Sequence, residues 1–114
     1  MSFRIRTIEN FDRQAKKLAK HYPSFREDYA KLLDELRENP LSGTDLGGGI
    51  RKVRMAIASK GKGKRGGARV ITYEVDIVVQ ADNGELILLS VYDKSEQSTI
   101  SDQEILRLKK LATQ

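Results

Sequence analysis

The chain has 114 residues, of which 39% are hydrophobic, and its 21 lysines and arginines against 16 acids give a formal net charge of +5. This length suits one domain spanning residues 1–114, and the apolar content excludes an intrinsically disordered chain. No apolar run approaches the ~20 residues of a membrane span, and the lack of cysteine excludes disulfides, thiolate nucleophiles and cysteine-bound metals. A single histidine, His21, argues against a zinc site. We therefore expect a cytoplasmic protein with no membrane association, metal or cofactor.

The first part of the chain predicts a short strand and then a helix. Residues 2–6 alternate polar and apolar side chains, which is the period of a strand. Apolar side chains then recur at helical spacing, with Thr7 or Asn10 as the expected N-cap. The residues of this apolar face are Ile8, Phe11, Ala15, Leu18 and Ala19.

A second helix is predicted directly after the break at residues 21–23. Ser24 and Glu27 have the spacing of a capping box, and Asn39-Pro40 ends the pattern. The apolar face of this helix consists of Phe25, Tyr29, Leu32, Leu33 and Leu36. Because the two helices are joined by so short a break, we expect an antiparallel helical hairpin.

After a loop over residues 41–49 the hydrophobic period changes from helical to two. Residues 50–58 predict a strand whose two faces hold different side chains. One face carries Val53, Met55 and Ile57, and the other carries Lys52, Arg54 and Ala56. Two cations are thus expected on one face of a sheet.

Two further strands and a helix complete the predicted elements. Residues 68–79 are rich in β-branched side chains and predict the longest strand, and Asp82-Asn83-Gly84 is a hairpin signal before a strand over 85–93. In that last strand one face is expected to carry Ile87, Leu89 and Val91, and the other Leu88, Ser90, Tyr92 and Lys94. Ser101 and Glu104 form a capping box for a C-terminal helix bearing Ile105, Leu108 and Ala112. The fold class is therefore α+β, a small, mainly antiparallel sheet with an N-terminal helical hairpin and a short C-terminal helix.

The positive charge is concentrated between Asp45 and Glu74, where eight basic residues occur without one acid. They are Arg51, Lys52, Arg54, Lys60, Lys62, Lys64, Arg65 and Arg69. The rest of the chain consequently carries a formal charge of about −3. A focused positive field attracts polyanions, of which a nucleic-acid backbone is the commonest.

Within this segment, residues 60–67 form a glycine- and lysine-rich stretch, which we call the basic loop. Residues 61–66 match the spacing G-x-G-x-x-G, but a β-rich run follows where a dinucleotide site requires a helix N-terminus. A Walker A loop is excluded because no Gly-Lys-Ser/Thr ends the stretch. Two interpretations remain, a solvated connection between strands and a phosphate-binding loop. Basic residues on the neighbouring strands, with Tyr92 and Lys94 nearby, favour phosphate binding and possible chemistry there.

The residues available limit what chemistry such a site performs. The basic segment has no histidine, cysteine or carboxylate to act on a substrate or hold a divalent metal. RNA supplies its own nucleophile, the 2′-hydroxyl, so an enzyme needs to align that group, stabilise the phosphorane and move protons. Arg and Lys stabilise the phosphorane, and Lys or Tyr moves protons when nearby cations lower its pKa. The composition therefore favours RNA over DNA as the substrate.

Residues 50–73, with the stretch Ser59-Lys-Gly-Lys-Gly-Lys-Arg-Gly-Gly-Ala-Arg69, resemble the central signature of the RelE/ParE superfamily of bacterial toxins, closest to HigB-like members. Ser90-Val-Tyr-Asp-Lys-Ser-Glu96 resembles the next signature segment of that family. The resemblance implies the RelE-like microbial RNase fold and a toxin of a type II toxin–antitoxin system. Its partners would be a cognate antitoxin, the ribosome and mRNA. It further implies metal-independent mRNA cleavage in the ribosomal A site, leaving a 2′,3′-cyclic phosphate and a 5′-hydroxyl.

The resemblance also implies roles for particular residues. Lys52, Arg54, Arg69 and Lys94 fall on catalytic basic positions, with Arg69 on the arginine that stabilises the transition state. RelE has a tyrosine near its C-terminus, but the matching position here is approximately Ile100, so Tyr92 is expected to substitute for it. The basic-loop residues expected to contact RNA phosphates are Lys60, Lys62, Lys64 and Arg65.

Two alternatives to the nuclease remain open at the level of the sequence. One is a ParE-like toxin that inhibits gyrase without cleaving RNA, and the other is a degenerate member that only binds RNA or its antitoxin. A gyrase inhibitor has no need for a cluster of cations that binds a phosphorane. The basic segment therefore favours the nuclease.

Overall fold

The computed structural model describes residues 3–77 and 84–114, which form three α-helices and a five-stranded sheet. Strand β1 (Arg4–Thr7) is followed by helices α1 (Glu9–His21) and α2 (Phe25–Glu38). The remaining elements are strands β2 (Thr44–Gly47), β3 (Ile50–Met55), β4 (Ala68–Val75) and β5 (Glu85–Asp93), and helix α3 (Asp102–Ala112). A single 3₁₀ turn, Ala58–Lys60, lies between β3 and β4. The predicted α+β class is confirmed.

The sheet has the order β1-β5-β4-β3-β2, and its pairs are antiparallel except for β1 with β5. Helices α1 and α2 cover one face, where their apolar side chains meet Val53, Met55 and Ile57. Helix α3 covers the other face through Ile105 and Leu108. Alternation along each strand thus produces two cores, one on either side of the sheet. Of the helices in the described ranges, none has the length and apolar character needed to cross a membrane.

The helix starts differ from the predicted caps in two of three cases. Ser101 caps α3 as predicted, since its hydroxyl accepts a hydrogen bond from the Glu104 amide. Ser24 has a helical backbone conformation, so its hydroxyl makes no capping bond and contacts Asp28 and Ser59 instead. The predicted capping box of α2 is therefore wrong.

The predicted N-cap of α1 is also wrong, because the residue at that position is Ile8, which makes no side-chain cap. Thr7 donates its hydroxyl hydrogen bond to Asp12. The Asn10 amide donates to the Leu89 carbonyl, and Gln14 accepts from the Val91 amide. These two helix side chains thus bond backbone groups of β5 where the strand extends beyond its partner β1.

The strands depart from the prediction at β2, at β4 and at the end of β3, which is Met55 rather than residue 58. The loop predicted over residues 41–49 contains the short, exposed edge strand β2. The longest strand is β5, with nine residues, rather than β4, with eight, which ends at Val75 before Asp76 adopts a positive φ of 55°. Residues 78–79 of the predicted strand and Asp82-Asn83 of the predicted hairpin lie outside the described residues.

A bulge in the β4–β5 pairing reverses one of the predicted faces. Ile71 pairs with Ser90 while Thr72 pairs with Leu88, so one extra residue of β5 stands between them. Leu88 and Val91 consequently face the two N-terminal helices, whereas Ile87, Leu89 and Tyr92 face α3. The prediction that Val91 shares a face with Ile87, and Tyr92 with Leu88, is therefore wrong.

Candidate nucleic-acid interface

Three candidate functional side chains lie side by side across the central strands. Arg54 on β3 pairs with Arg69 on β4, and Arg69 pairs with Tyr92 on β5. Directly paired residues of neighbouring strands project from the same face, here the face covered by α3. We call these three residues the cross-strand row. Lys52, two residues before Arg54, projects from that face too, so the prediction that both cations share one face is confirmed.

Arg69 occupies the middle of the row and is only 5% exposed. Its guanidinium donates hydrogen bonds to the carbonyls of Lys64 (3.0 Å), Arg65 (3.0 Å) and Ala68 (3.1 Å). Burial, and then the neighbouring Arg54, lowers the pKa of Arg69. Arg69 therefore connects the row to the basic loop, while Arg54 beside it remains exposed to solvent.

Tyr92 is the third residue of the row and is 4% exposed. Buried hydroxyl groups usually have a hydrogen-bond partner, but that of Tyr92 has none among the described residues. Burial raises the pKa of Tyr92, whereas the charge of Arg69 acts in the opposite direction. Because the effect of burial is the larger, the phenol is protonated at neutral pH. Tyr92 therefore has the character of a hydrogen-bond donor rather than a base.

The basic loop contains two kinds of lysine. Lys62 and Lys64 are exposed, as is Arg65, and Lys64 makes only a solvent-exposed ion pair with Glu35 at 3.3 Å. Such exposed pairs contribute little and are easily exchanged. Lys60 is different, because its side chain is 8% exposed and its ammonium lies 2.6 Å from the carboxylate of Asp93. Three cations of the loop are therefore exposed to solvent, whereas Lys60 forms an internal ion pair.

Lys94 follows β5 and lies beside the end of the basic loop. Its amide donates to the Gly67 carbonyl at 3.0 Å, and its ammonium donates to the Ser98 carbonyl at 3.3 Å. Gly67 leaves no room for a side chain, since a Cβ there would lie 2.1 Å from the Met55 carbonyl oxygen. This close approach explains why the loop must end in glycine where it joins β4.

Asp93 is a residue whose importance the sequence did not indicate. Its carboxylate accepts hydrogen bonds from Lys60, from the Tyr22 hydroxyl and from the amide and hydroxyl of Ser95. Burial alone would raise the pKa of Asp93, but these hydrogen bonds outweigh it and hold the pKa well below its usual range. The bond to Asp93 raises the pKa of Tyr22 to about 12. A charged residue at the end of a strand gives no signal of such contacts, because its partners are distant in sequence.

A cleft of about 450 Å³ lies between α1 and the end of β5. Its lining includes Tyr92 and Asp93 at the end of β5, and Lys17, Lys20 and His21 of α1. Ile100, at the position where a C-terminal tyrosine was expected from the resemblance, packs against the α3 core. Tyr92 is thus the phenol that the structure places beside Arg69.

The family model described as the RelE toxin of the RelE/RelB toxin–antitoxin system matches residues 4–114. The match covers the cross-strand row, the basic loop and all three helices.

Proposed function

Because the chain belongs to the RelE toxin family of RelE/RelB toxin–antitoxin systems, we propose that it is an endoribonuclease that cleaves mRNA in the ribosomal A site. Toxins of this family pair with RelB-type antitoxins, so a cognate antitoxin is its expected partner. The cross-strand row, joined through Arg69 to three exposed loop cations, is the observation that carries the proposal. The family match over residues 4–114 also supports one toxin domain, and the proposed substrate places its action in the cytoplasm.

The proposed reaction is an internal transfer of phosphate. The 2′-hydroxyl oxygen attacks the adjacent phosphorus, and the bond from phosphorus to the 5′-oxygen of the next nucleotide breaks. The products are a 2′,3′-cyclic phosphate and a 5′-hydroxyl. The 2′-hydroxyl loses one proton and the leaving oxygen gains one, so the step is balanced without a metal or cofactor.

The row supplies charge and a proton donor for this step. Arg54 is exposed, so we assign it direct contact with the phosphate and stabilisation of the phosphorane. Tyr92 is protonated and its hydroxyl has no partner among the described residues, so we propose that it donates a hydrogen bond or proton to the leaving 5′-oxygen once substrate binding exposes this buried side chain. Lys52 lies on the same face and is our candidate for the group that receives the 2′-hydroxyl proton.

Arg69 and Lys94 have less direct roles in this proposal. The guanidinium of Arg69 already donates to three carbonyls, so it stabilises the loop and adds positive potential beside Arg54. Lys94 contacts the last residue of the basic loop through its backbone and extends the cationic surface. We propose phosphate contacts for Lys62, Lys64 and Arg65, whereas the ammonium of Lys60 is engaged by Asp93.

A translation extract tests the proposed function. Wild-type protein should cut a reporter mRNA only when the message is being translated, and 3′-end mapping should locate the cuts within codons. Arg54→Gln should lose cleavage by about 10²-fold or more, because an exposed donor to the transition state is removed. Exposed Arg37→Gln on α2 is the matched control and should cleave normally. Inhibition of gyrase supercoiling with intact mRNA would contradict the proposal and favour the ParE-like alternative.

A further inference from the structure

The carboxylate of Asp93 joins three separate parts of the molecule. It accepts from Lys60, the first residue of the basic loop, at 2.6 Å, and from Tyr22 at the end of α1. The Ser95 amide and hydroxyl, at 2.9 and 2.7 Å, complete its contacts from the turn after β5. Asp93 is 3% exposed, so these partners replace water almost completely.

The basic loop is held at both of its ends, and Asp93 holds the first of them. Lys60 fixes the first residue to Asp93, and the amide of Lys94 fixes Gly67 at the other end. Between them, the Arg69 guanidinium holds the carbonyls of Lys64 and Arg65. The three exposed cations of the loop therefore project from a backbone whose path is set by buried polar contacts.

We propose that Asp93 is a positioning residue that orders the basic loop for binding to RNA, and this inference rests on the proposed function. Without its charge the buried ammonium of Lys60 loses its counter-ion, and Lys60 is then more stable in solvent. The loop start moves with Lys60, and binding must then restore the order of the loop. Asp93 acts through Lys60 and touches no substrate itself.

Loss of the Asp93 charge and loss of order in the basic loop are expected to have opposite effects on RNA binding, which makes the proposal testable. Removing a carboxylate near a cationic surface strengthens attraction to phosphate by simple electrostatics. Loosening the loop weakens binding. Glu96 provides the matched control, because it lies in the same turn, is exposed, and its side chain makes no hydrogen bond or ion pair in the described residues. Glu96→Gln therefore changes the same charge without touching the loop.

The first measurement is amide hydrogen exchange in the free protein. The Gly61 amide donates to Ala58 and the Gly66 amide donates to Lys62, so both report the order of the loop. Asp93→Asn should accelerate exchange at these two amides by about tenfold or more, while amides of β4 and β5 remain protected. Glu96→Gln should leave all of them unchanged. Tyr22→Phe, which removes one donor to Asp93, should accelerate the loop amides to a smaller extent.

The second measurement is binding of single-stranded RNA over a series of salt concentrations. Asp93→Asn should weaken binding by about threefold or more, whereas Glu96→Gln should leave it equal or slightly stronger. Loop exchange unchanged in Asp93→Asn, or affinity matching that of Glu96→Gln, would overturn the proposal. If Asp93→Asn fails to fold, Tyr22→Phe carries both tests. Lys60→Gln then carries the exchange test only, because loss of a lysine charge weakens RNA binding by itself. Wild-type protein that binds neither free RNA nor ribosomes carrying mRNA would refute the proposed function, while the exchange data would still decide whether Asp93 orders the loop.

Discussion

Replacing Arg69 with methionine should destabilise the protein, even though the position is a candidate functional residue. The substitution keeps an aliphatic side chain of similar length and removes the guanidinium. Arg69 as a whole is 5% exposed, so the group that is removed is buried. Three carbonyls, those of Lys64, Arg65 and Ala68, lose their donor. A hydrogen bond from a charged donor contributes roughly 1.5–3 kcal/mol net when its partner stays buried.

The full sum of these bonds overstates the expected loss. Burying the guanidinium is itself unfavourable, as its lowered pKa indicates, and that cost disappears in the variant. Lys64 and Arg65 also lie in an exposed loop, where water can reach their carbonyls. We therefore expect a decrease of about 2 kcal/mol in the free energy of unfolding, since only part of the hydrogen-bond energy is offset.

Urea denaturation followed by circular dichroism measures this effect. With a typical slope for a small domain, the loss corresponds to a midpoint lower by about 1–2 M. Arg54→Met is the matched control, because Arg54 is the paired neighbour in the row but is exposed, and its loss should change stability by about 0.5 kcal/mol or less. Equal midpoints for the two variants would refute the conclusion that Arg69 holds the basic loop.

Three further predictions follow from the surroundings of individual residues. Tyr92→Phe should leave stability unchanged or slightly higher, because a buried hydroxyl with no partner in the described ranges is removed, while single-turnover mRNA cleavage slows. Unchanged cleavage would eliminate Tyr92 as the proton donor. Replacing Lys62, Lys64 and Arg65 with glutamine should flatten the plot of log binding constant against log salt by about 2 units, since each single-strand phosphate contact contributes about 0.7. An identical slope would show that these cations do not contact RNA. The depressed pKa of Asp93 stabilises the fold above the usual carboxyl pKa, so wild-type stability should fall as pH drops below about 4. Asp93→Asn should show a flatter decline in acid denaturation curves, and parallel curves would contradict the assignment.

Much of the fold could be predicted from the sequence because its elements have strong hydrophobic periods. The faces of α1 and α2 follow helical spacing, and Val53, Met55 and Ile57 follow strand alternation into the same core. Strand β2 was missed because it is short, exposed and contains glycine, and its pairing with β3 determines its conformation. The bulge opposite Ile71 and Thr72 was missed because alternation assumes an unbroken register.

The residues of the candidate site could be named from the sequence, but only those within a single strand could be placed on a common face. Alternation placed Lys52 and Arg54 on one face, as the structure confirms. The alignment of Arg69 with Tyr92 depends on register, which periodicity does not determine. The pairing of Lys60 with Asp93 joins residues 33 positions apart in the chain, so a lysine that resembles its loop neighbours in sequence differs from them in environment.

The most direct test of the proposed mechanism is cleavage of an mRNA that lacks one 2′-hydroxyl. After the principal cut in a translated message has been mapped, the nucleotide on its 5′ side is replaced by the 2′-deoxy form and translation is repeated. Attack by the 2′-hydroxyl predicts that the cut at this position disappears, that other sites are still cleaved, and that their 5′ fragments end in a 2′,3′-cyclic phosphate. Continued cleavage at the deoxy position would contradict the mechanism, because the proposed nucleophile would be absent.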